Sequence, residues 1–184
     1  ISHYMYTSSN TWIASVWKYA YLGIDRANLA ISNIEKMQGY TDNITLQELV
    51  AQACFLRAFL AFDLVRFWGD VPFSTQYTSG YEETSKLIYE QIIKDLNFAK
   101  EHLPKGSTTS SSEVPSSGAA RALLMRVYLQ RAGYSLNRET VKLTRPDDNT
   151  RSVYFNAVID EWEAFQSENY HGFYNEGYEQ LFKN

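Results

Sequence analysis

The chain has 184 residues, a length suited to one ordinary domain, since single cores commonly serve chains of about 100 to 200 residues. Hydrophobic residues make up 45% and aromatic residues 15%, against 21% charged, which supplies a core and a wettable surface and excludes a wholly disordered chain. With 21 acidic and 17 basic residues, a net charge of −4 and no run of Lys and Arg, the composition excludes a nucleic-acid binder, which needs clustered positive charge against phosphate.

The first element runs from Trp12, where Val16, Tyr19, Gly23, Ala27, Ala30 and Ile34 recur at steps of three and four, the apolar stripe of an amphipathic helix. Small residues at Ala20, Gly23, Ala27 and Ala30 allow a neighbouring helix to come close, and Gly39 with Asn43 provides the turn that follows. Thr45 to Glu48 reads as a capping box opening a second helix. From Leu49 to Trp68 that helix is apolar nearly all round and is expected to lie between other helices, until Gly69-Asp70 breaks it and Pro72 forbids its continuation.

Ser74 to Glu83 is a polar connection containing Tyr77 and Tyr81. Thr84 or Ser85 then caps a third helix with Ile88, Ile92, Leu96, Ala99 and Leu103 on one face, ended by Pro104 and Gly106. The stretch GSTTSSSEVPSSG, residues 106 to 118, is a linker by composition. Ser117 caps a fourth helix carrying Ala120, Leu123, Leu124, Val127 and Tyr128. Residues 134 to 152, with Pro146-Asp147-Asp148-Asn149, read as a long loop. A fifth helix places Tyr154, Ala157, Val158, Trp162 and Phe165 on one side, and the tail NYHGFYNEGYEQLF must fold back to shelter its rings. No alternating strand pattern exceeds a few residues. The expected architecture is all-α: stacked helical hairpins in a tetratricopeptide-like α/α superhelix with long loops, one domain over residues 1–184.

Catalytic chemistry finds little to work with. His3, His102 and His171 are isolated, no H-E-x-x-H, G-x-S-x-G or phosphate loop occurs, and the Glu82-Glu83 pair is explained by the helix start it precedes. The run Asp147-Asp148-Asn149 lacks the glycine and terminal glutamate of a calcium loop and reads as a solvated turn. The single cysteine, Cys54, sits among apolar residues and reads as core, leaving no disulfide and no cysteine zinc site. No cofactor or metal is implied. The aromatic excess does fit sugar binding, in which ring faces stack on the apolar sides of pyranoses while amides and charged groups hydrogen-bond the hydroxyls. Trp17, Tyr19, Trp68, Tyr128, Tyr154 and Trp162 fall on or beside the helix stripes and are assigned to packing. Tyr4, Tyr6, Asn10 and Trp12, ahead of the first helix, are the candidate ligand residues, with Tyr77 and Tyr81 second. Arg57, among apolar neighbours on a buried helix, must find a carboxylate or several carbonyls.

Taken in order, WKYAYLGIDRANLAISNI, QACFLRAFLAFDLVRFWGDVPF, IYEQIIKDLNFAKEHLP and GAARALLMRVYLQRAG resemble the SusD/RagB-like family of outer-membrane nutrient-binding lipoproteins. The specific part is the Arg-Ala-aromatic element leading to Trp-Gly-Asp-Val-Pro, residues 57 to 72; the final block YFNAVIDEW through NYHGFYNEGYEQLF looks like the family's next segment. The resemblance implies a non-catalytic glycan-binding protein, although some relatives take peptides. It would be lipid-anchored on the extracellular face of the outer membrane and would deliver ligand to a SusC-like TonB-dependent transporter. It implies structural roles for Arg57, Gly69, Asp70 and Pro72. Family members are longer and carry a lipidated cysteine, so the chain is expected to be the helical part of such a protein, with the anchor and most ligand loops elsewhere. The alternative expectation is a helical scaffold that docks the transporter without touching ligand. A glycan-cleaving enzyme, which needs two carboxylates facing across a cleft, is the weakest of the three.

Overall fold

The computed structural model describes residues 7, 9–69, 71–76, 88–106, 114–137 and 140–171. Five helices account for most of it: α1 (Thr11–Ile34), α2 (Ile44–Trp68), α3 (Ile88–His102), α4 (Ser117–Ala132) and α5 (Asp148–Glu168). A single 3-10 turn at Tyr40–Asp42 joins α1 to α2, and a short antiparallel hairpin of β1 (Ser135–Asn137) and β2 (Lys142–Thr144) precedes α5. Each helix packs chiefly on the next in sequence. That arrangement is the nearest-neighbour stacking of a tetratricopeptide-like array.

The main core joins α1 through α4. Tyr21 and Ile24 of α1, Ala58, Ala61, Phe62 and Leu64 of α2, Ile88, Ile92 and Leu96 of α3, and Leu123, Leu124 and Val127 of α4 form one buried cluster. After α2 the chain runs extended, and alternate residues Val71 and Phe73 enter the same cluster while Pro72 faces out. Gly69 makes this exit possible. It sits at φ 70°, ψ −132°, closing α2 with its amide on the Val65 carbonyl, in a region of backbone space that side chains disfavour. Gly23 serves close approach: a Cβ there would lie 2.4 Å from Leu60 Cδ1.

Three polar residues lock the first three helices together inside this core. Arg57 is 5% exposed and Asp95 3%. The Arg57 Nε and Nη2 atoms donate to the two Asp95 carboxylate oxygens, both at 2.7 Å, and Nη1 donates to Asn28 Oδ1 at 2.7 Å. The Asn28 amide donates in turn to the Ser74 carbonyl at 2.9 Å, and Gln91 Nε2 to Asp95 Oδ1 at 2.6 Å. Burial works against the charge on Arg57, yet the hydrogen bonds and charge of Asp95 outweigh it and raise the guanidinium pKa above its ordinary value. Buried charge is tolerated here because every partner is satisfied.

Helix α5 is attached differently. Its one buried residue is Glu161, which accepts from Lys100 of α3 and, at 2.7 Å, from Arg121 of α4. Arg121 also donates to Glu168 at 2.9 Å. The Arg131 guanidinium lies 5.2 Å from the ring centre of Tyr89 and 4.9 Å from that of Tyr154, clamping α3, α4 and α5 by cation–π contacts.

Several expectations change. The α1 stripe drawn through Trp12, Val16 and Tyr19 is the outer side of the helix: Trp12 is 77% and Tyr19 66% exposed, while Ala20, Tyr21, Ile24, Ala27, Asn28 and Ile31 are buried. Asn43, not Thr45, caps α2 by accepting from the Leu46 amide. Ser116 caps α4, leaving Ser117 buried with its hydroxyl on the Lys100 carbonyl. The run Asp147-Asp148-Asn149 is a helix start, because the Asp147 carboxylate accepts from the Asn149 and Thr150 amides, so the long loop shrinks to a hairpin and a short connection. Cys54 is buried, and burial pushes its thiol pKa up to about 12. Asp70, Tyr77, Tyr81, Glu82, Glu83, Thr84 and Ser85, His3, the middle of the 106–118 linker and the tail beyond His171 lie outside the described residues.

Candidate functional site

Helix α2 ends in four consecutive residues that feed the surface. Arg66 and Phe67 are exposed, Trp68 is half-buried, and Gly69 turns the chain away. Opposite them stand the last turns of α4 and the hairpin. Together they enclose a groove of about 790 Å³, with Phe67, Trp68, Tyr89 and Tyr134 as its rings and Arg66, Gln130, Ser135, Asn137 and Thr144 as its polar groups. A smaller depression of about 330 Å³ adjoins it, sharing Arg66, Gln130 and Tyr134 and adding Phe62, Arg126 and Leu129.

The aromatic surface continues past the groove. Trp68 meets Phe67 edge-on at 5.7 Å and Trp17 edge-on at 5.2 Å, and Trp17 lies 4.8 Å from Tyr21. Trp17 and Tyr21 line a second, mainly apolar cleft of about 420 Å³ with Lys18, Leu22, Asp25 and Pro72. The Tyr21 hydroxyl donates to the Pro72 carbonyl at 2.7 Å, and burial pushes its pKa up to about 12. A ladder of four rings, Tyr21, Trp17, Trp68 and Phe67, therefore links the two concavities, held rigid from beneath by the α1–α2–α3 core. Edge-on rings at 4.5 to 7 Å are the favoured packing of aromatic quadrupoles.

The candidate ligand residues ahead of α1 fare unevenly. Tyr4 and Tyr6 lie outside the described residues. The Asn10 side-chain oxygen caps α1, accepting from the Trp12 and Ile13 amides at 3.0 and 3.2 Å, so Asn10 has a structural duty whatever else it does. Trp12 stands free in solvent beside it. Trp17 and Trp68, assigned to packing on their helical spacing, pack against the core and also form cleft walls. Tyr134, Gln130 and Asn137 gave no sequence signal, since their grouping depends on the hairpin folding back toward α2.

Among the described residues no group of three or more His, Cys, Asp or Glu side chains is placed to hold a metal, and no helix is long and apolar enough to cross a membrane. His102 stacks on Phe98 at 4.0 Å and His171 on Phe165 at 5.3 Å, each engaged in packing within its own region.

Stacked helical hairpins presenting an aromatic-lined groove define a helical binding scaffold, and comparison with known proteins gives the family. Residues 2–129 match the SusD-like family described as starch-binding and associating with the outer membrane, and the chain belongs to that family. The SusD-like protein P2 of Formosa agariphila is 36% identical over 141 residues, covering 73% of this chain and 27% of its own. A SusD homologue of Bacteroides thetaiotaomicron superposes with a TM-score of 0.78 at 27% identity, over 97% of this chain and 34% of that one. A SusD superfamily protein of Parabacteroides distasonis gives 0.74 at 28% identity, over 91% and 34%. The chain thus spans about a third or less of the length of these relatives. A laminarin-binding SusD-like protein is similar at 25% identity with a TM-score of 0.59 over 78% of this chain. The family's description names binding and outer-membrane association and no reaction.

Proposed function

We propose that this protein is a non-catalytic glycan-binding component of a bacterial cell surface, capturing oligosaccharide or polysaccharide and delivering it to a SusC-like TonB-dependent transporter. In this reading the intact protein is lipid-anchored on the extracellular face of the outer membrane. The observation that carries the glycan part is the groove between α2, α4 and the hairpin, in which aromatic faces stand beside amides, hydroxyls and an arginine. Membership of a starch-binding family and the laminarin-binding relative support it. Rings supply stacking surface for the apolar faces of sugars, and the polar groups supply orientation.

Calorimetry of the intact protein against starch-type and laminarin-type oligosaccharides tests this directly, with product analysis alongside. Binding that weakens at least tenfold in Tyr134→Ala, without released sugar, is the expected result. Undiminished binding in that variant would move the site elsewhere, and released reducing sugar would end the non-catalytic reading. A docking role for the helices is favoured by Val16, Tyr19, Leu56 and Phe59, large apolar residues left exposed on α1 and α2 within about two turns of the Gly23–Leu60 contact. Co-purification of the transporter with the wild type but not with Tyr19→Asp/Phe59→Asp is the outcome this second role requires.

A further inference from the structure

We infer that the glycan taken by the groove is anionic, with its carboxylate or sulfate groups received by Arg66 and Arg126. The inference rests on the glycan-binding reading above and narrows its substrate class. The groove and the depression beside it are contiguous through Arg66, Gln130 and Tyr134, and among the described residues no aspartate or glutamate lines either of them. In a chain where acidic residues outnumber basic ones, an aromatic concavity lined by two arginines and, among the described residues, by no carboxylate is a local reversal of charge.

That reversal bears on what can bind. A neutral sugar presents hydroxyl donors that carboxylates receive best, and here the side-chain acceptors among the described lining residues are the amides and hydroxyls of Gln130, Asn137, Ser135 and Thr144 and the phenols of Tyr89 and Tyr134. An anionic sugar presents acceptors, which a guanidinium fork receives in pairs. Arg126 is exposed and has no ion-pair or hydrogen-bond partner among the described residues. Arg66 has one, Asp63, three residues back on the same helix at 3.1 Å. A surface pair at this spacing is weak. The Arg66 guanidinium also lies 5.4 and 5.6 Å from the ring centres of Phe62 and Phe67, which fixes it at the wall of the groove.

The test uses the intact protein and polysaccharide probes matched in pairs: oligogalacturonate with its methyl ester, and a sulfated galactan with its desulfated form. At low salt at least one charged member is expected to bind tenfold or more tighter than its neutral counterpart, roughly the value of one hydrogen bond to a charged group. That advantage should shrink as salt is raised. Which pair shows it tells carboxylate from sulfate. Arg126→Gln, a change at an exposed position outside the main groove, should remove most of the advantage without moving the melting temperature or the affinity for the neutral member, and Arg66→Gln should weaken binding of the charged member more than that of the neutral one. Equal binding of charged and neutral members, or a preference that survives both substitutions, overturns the anionic assignment while leaving glycan binding intact. Failure of every member of both pairs to bind overturns the assignment as well. Binding to the starch-type or laminarin-type oligosaccharides in the same protein then shows whether the glycan reading falls with it.

Discussion

Replacing Arg57 with alanine strikes the point at which three helices are joined. The substitution leaves Asp95, 3% exposed, with Gln91 as its remaining side-chain donor, and strips Asn28 Oδ1 of its partner. Removing one member of a buried, hydrogen-bonded ion pair costs about 3–5 kcal/mol, mostly because the surviving charge is stranded. For a chain of this size each kcal/mol shifts the melting temperature by about 2–4 °C, so the midpoint should fall by roughly 6–20 °C. Urea denaturation followed by far-UV circular dichroism measures the loss, with the m value checking that unfolding stays cooperative. Replacing the pair together, Arg57→Met with Asp95→Leu, removes both charges and should recover most of the loss. A loss below about 1 kcal/mol in Arg57→Ala, or a double variant no more stable than the single one, would refute the claim that charge stranding sets the magnitude.

Gly69→Ala should cost about 1–3 kcal/mol, because a side chain must adopt φ 70°, ψ −132° or the chain must leave α2 differently; thermal denaturation checks it. Tyr21 binds its proton more tightly when folded, with a pKa of about 12 against an ordinary 10.0. Its contribution is therefore complete below pH 10 and lost as the pH rises toward 12. Tyr21→Phe should flatten the decline of stability with pH across that window, measured by urea midpoints. Cys54, buried and with its thiol pKa at about 12, should resist a thiol reagent at pH 8 in the native protein and react once urea unfolds it.

The helices were legible in the sequence wherever burial and apolarity coincide. In α3 and α4 the stripe through Ile88, Ile92 and Leu96 and that through Leu123, Leu124 and Val127 are the buried faces. In α1 they part company. Trp12, Val16 and Tyr19 are bulky and point outward, while the inner face sets Ala20, Ala27 and even Asn28 among Tyr21, Ile24 and Ile31, and Asn28 counts as polar until its place beside Arg57 is known. A rule that scores side chains by hydrophobicity finds apolar residues on both sides of such a helix and cannot choose between them. The same blindness hid Glu161, whose burial is possible only because Lys100 and Arg121 arrive from two other helices. Of the candidate groove's rings, the sequence singled out Trp68 alone and credited it to packing. Of the polar groups, Ser135, Asn137 and Thr144 come from a six-residue ladder too short for a period-two pattern to register.

The Asn28–Arg57–Asp95 lock also bears on shape. A helix advances 1.5 Å per residue, so if α1, α2 or α3 slid along its neighbours by one position, hydrogen bonds made at 2.7 Å would be broken and charge left bare. Close packing already resists such a slip, and the buried charge adds to its cost. A keyed joint at the centre forbids it. Trp17 on α1 and Trp68 on α2 keep a fixed spacing because the helices that carry them are indexed to each other by that joint.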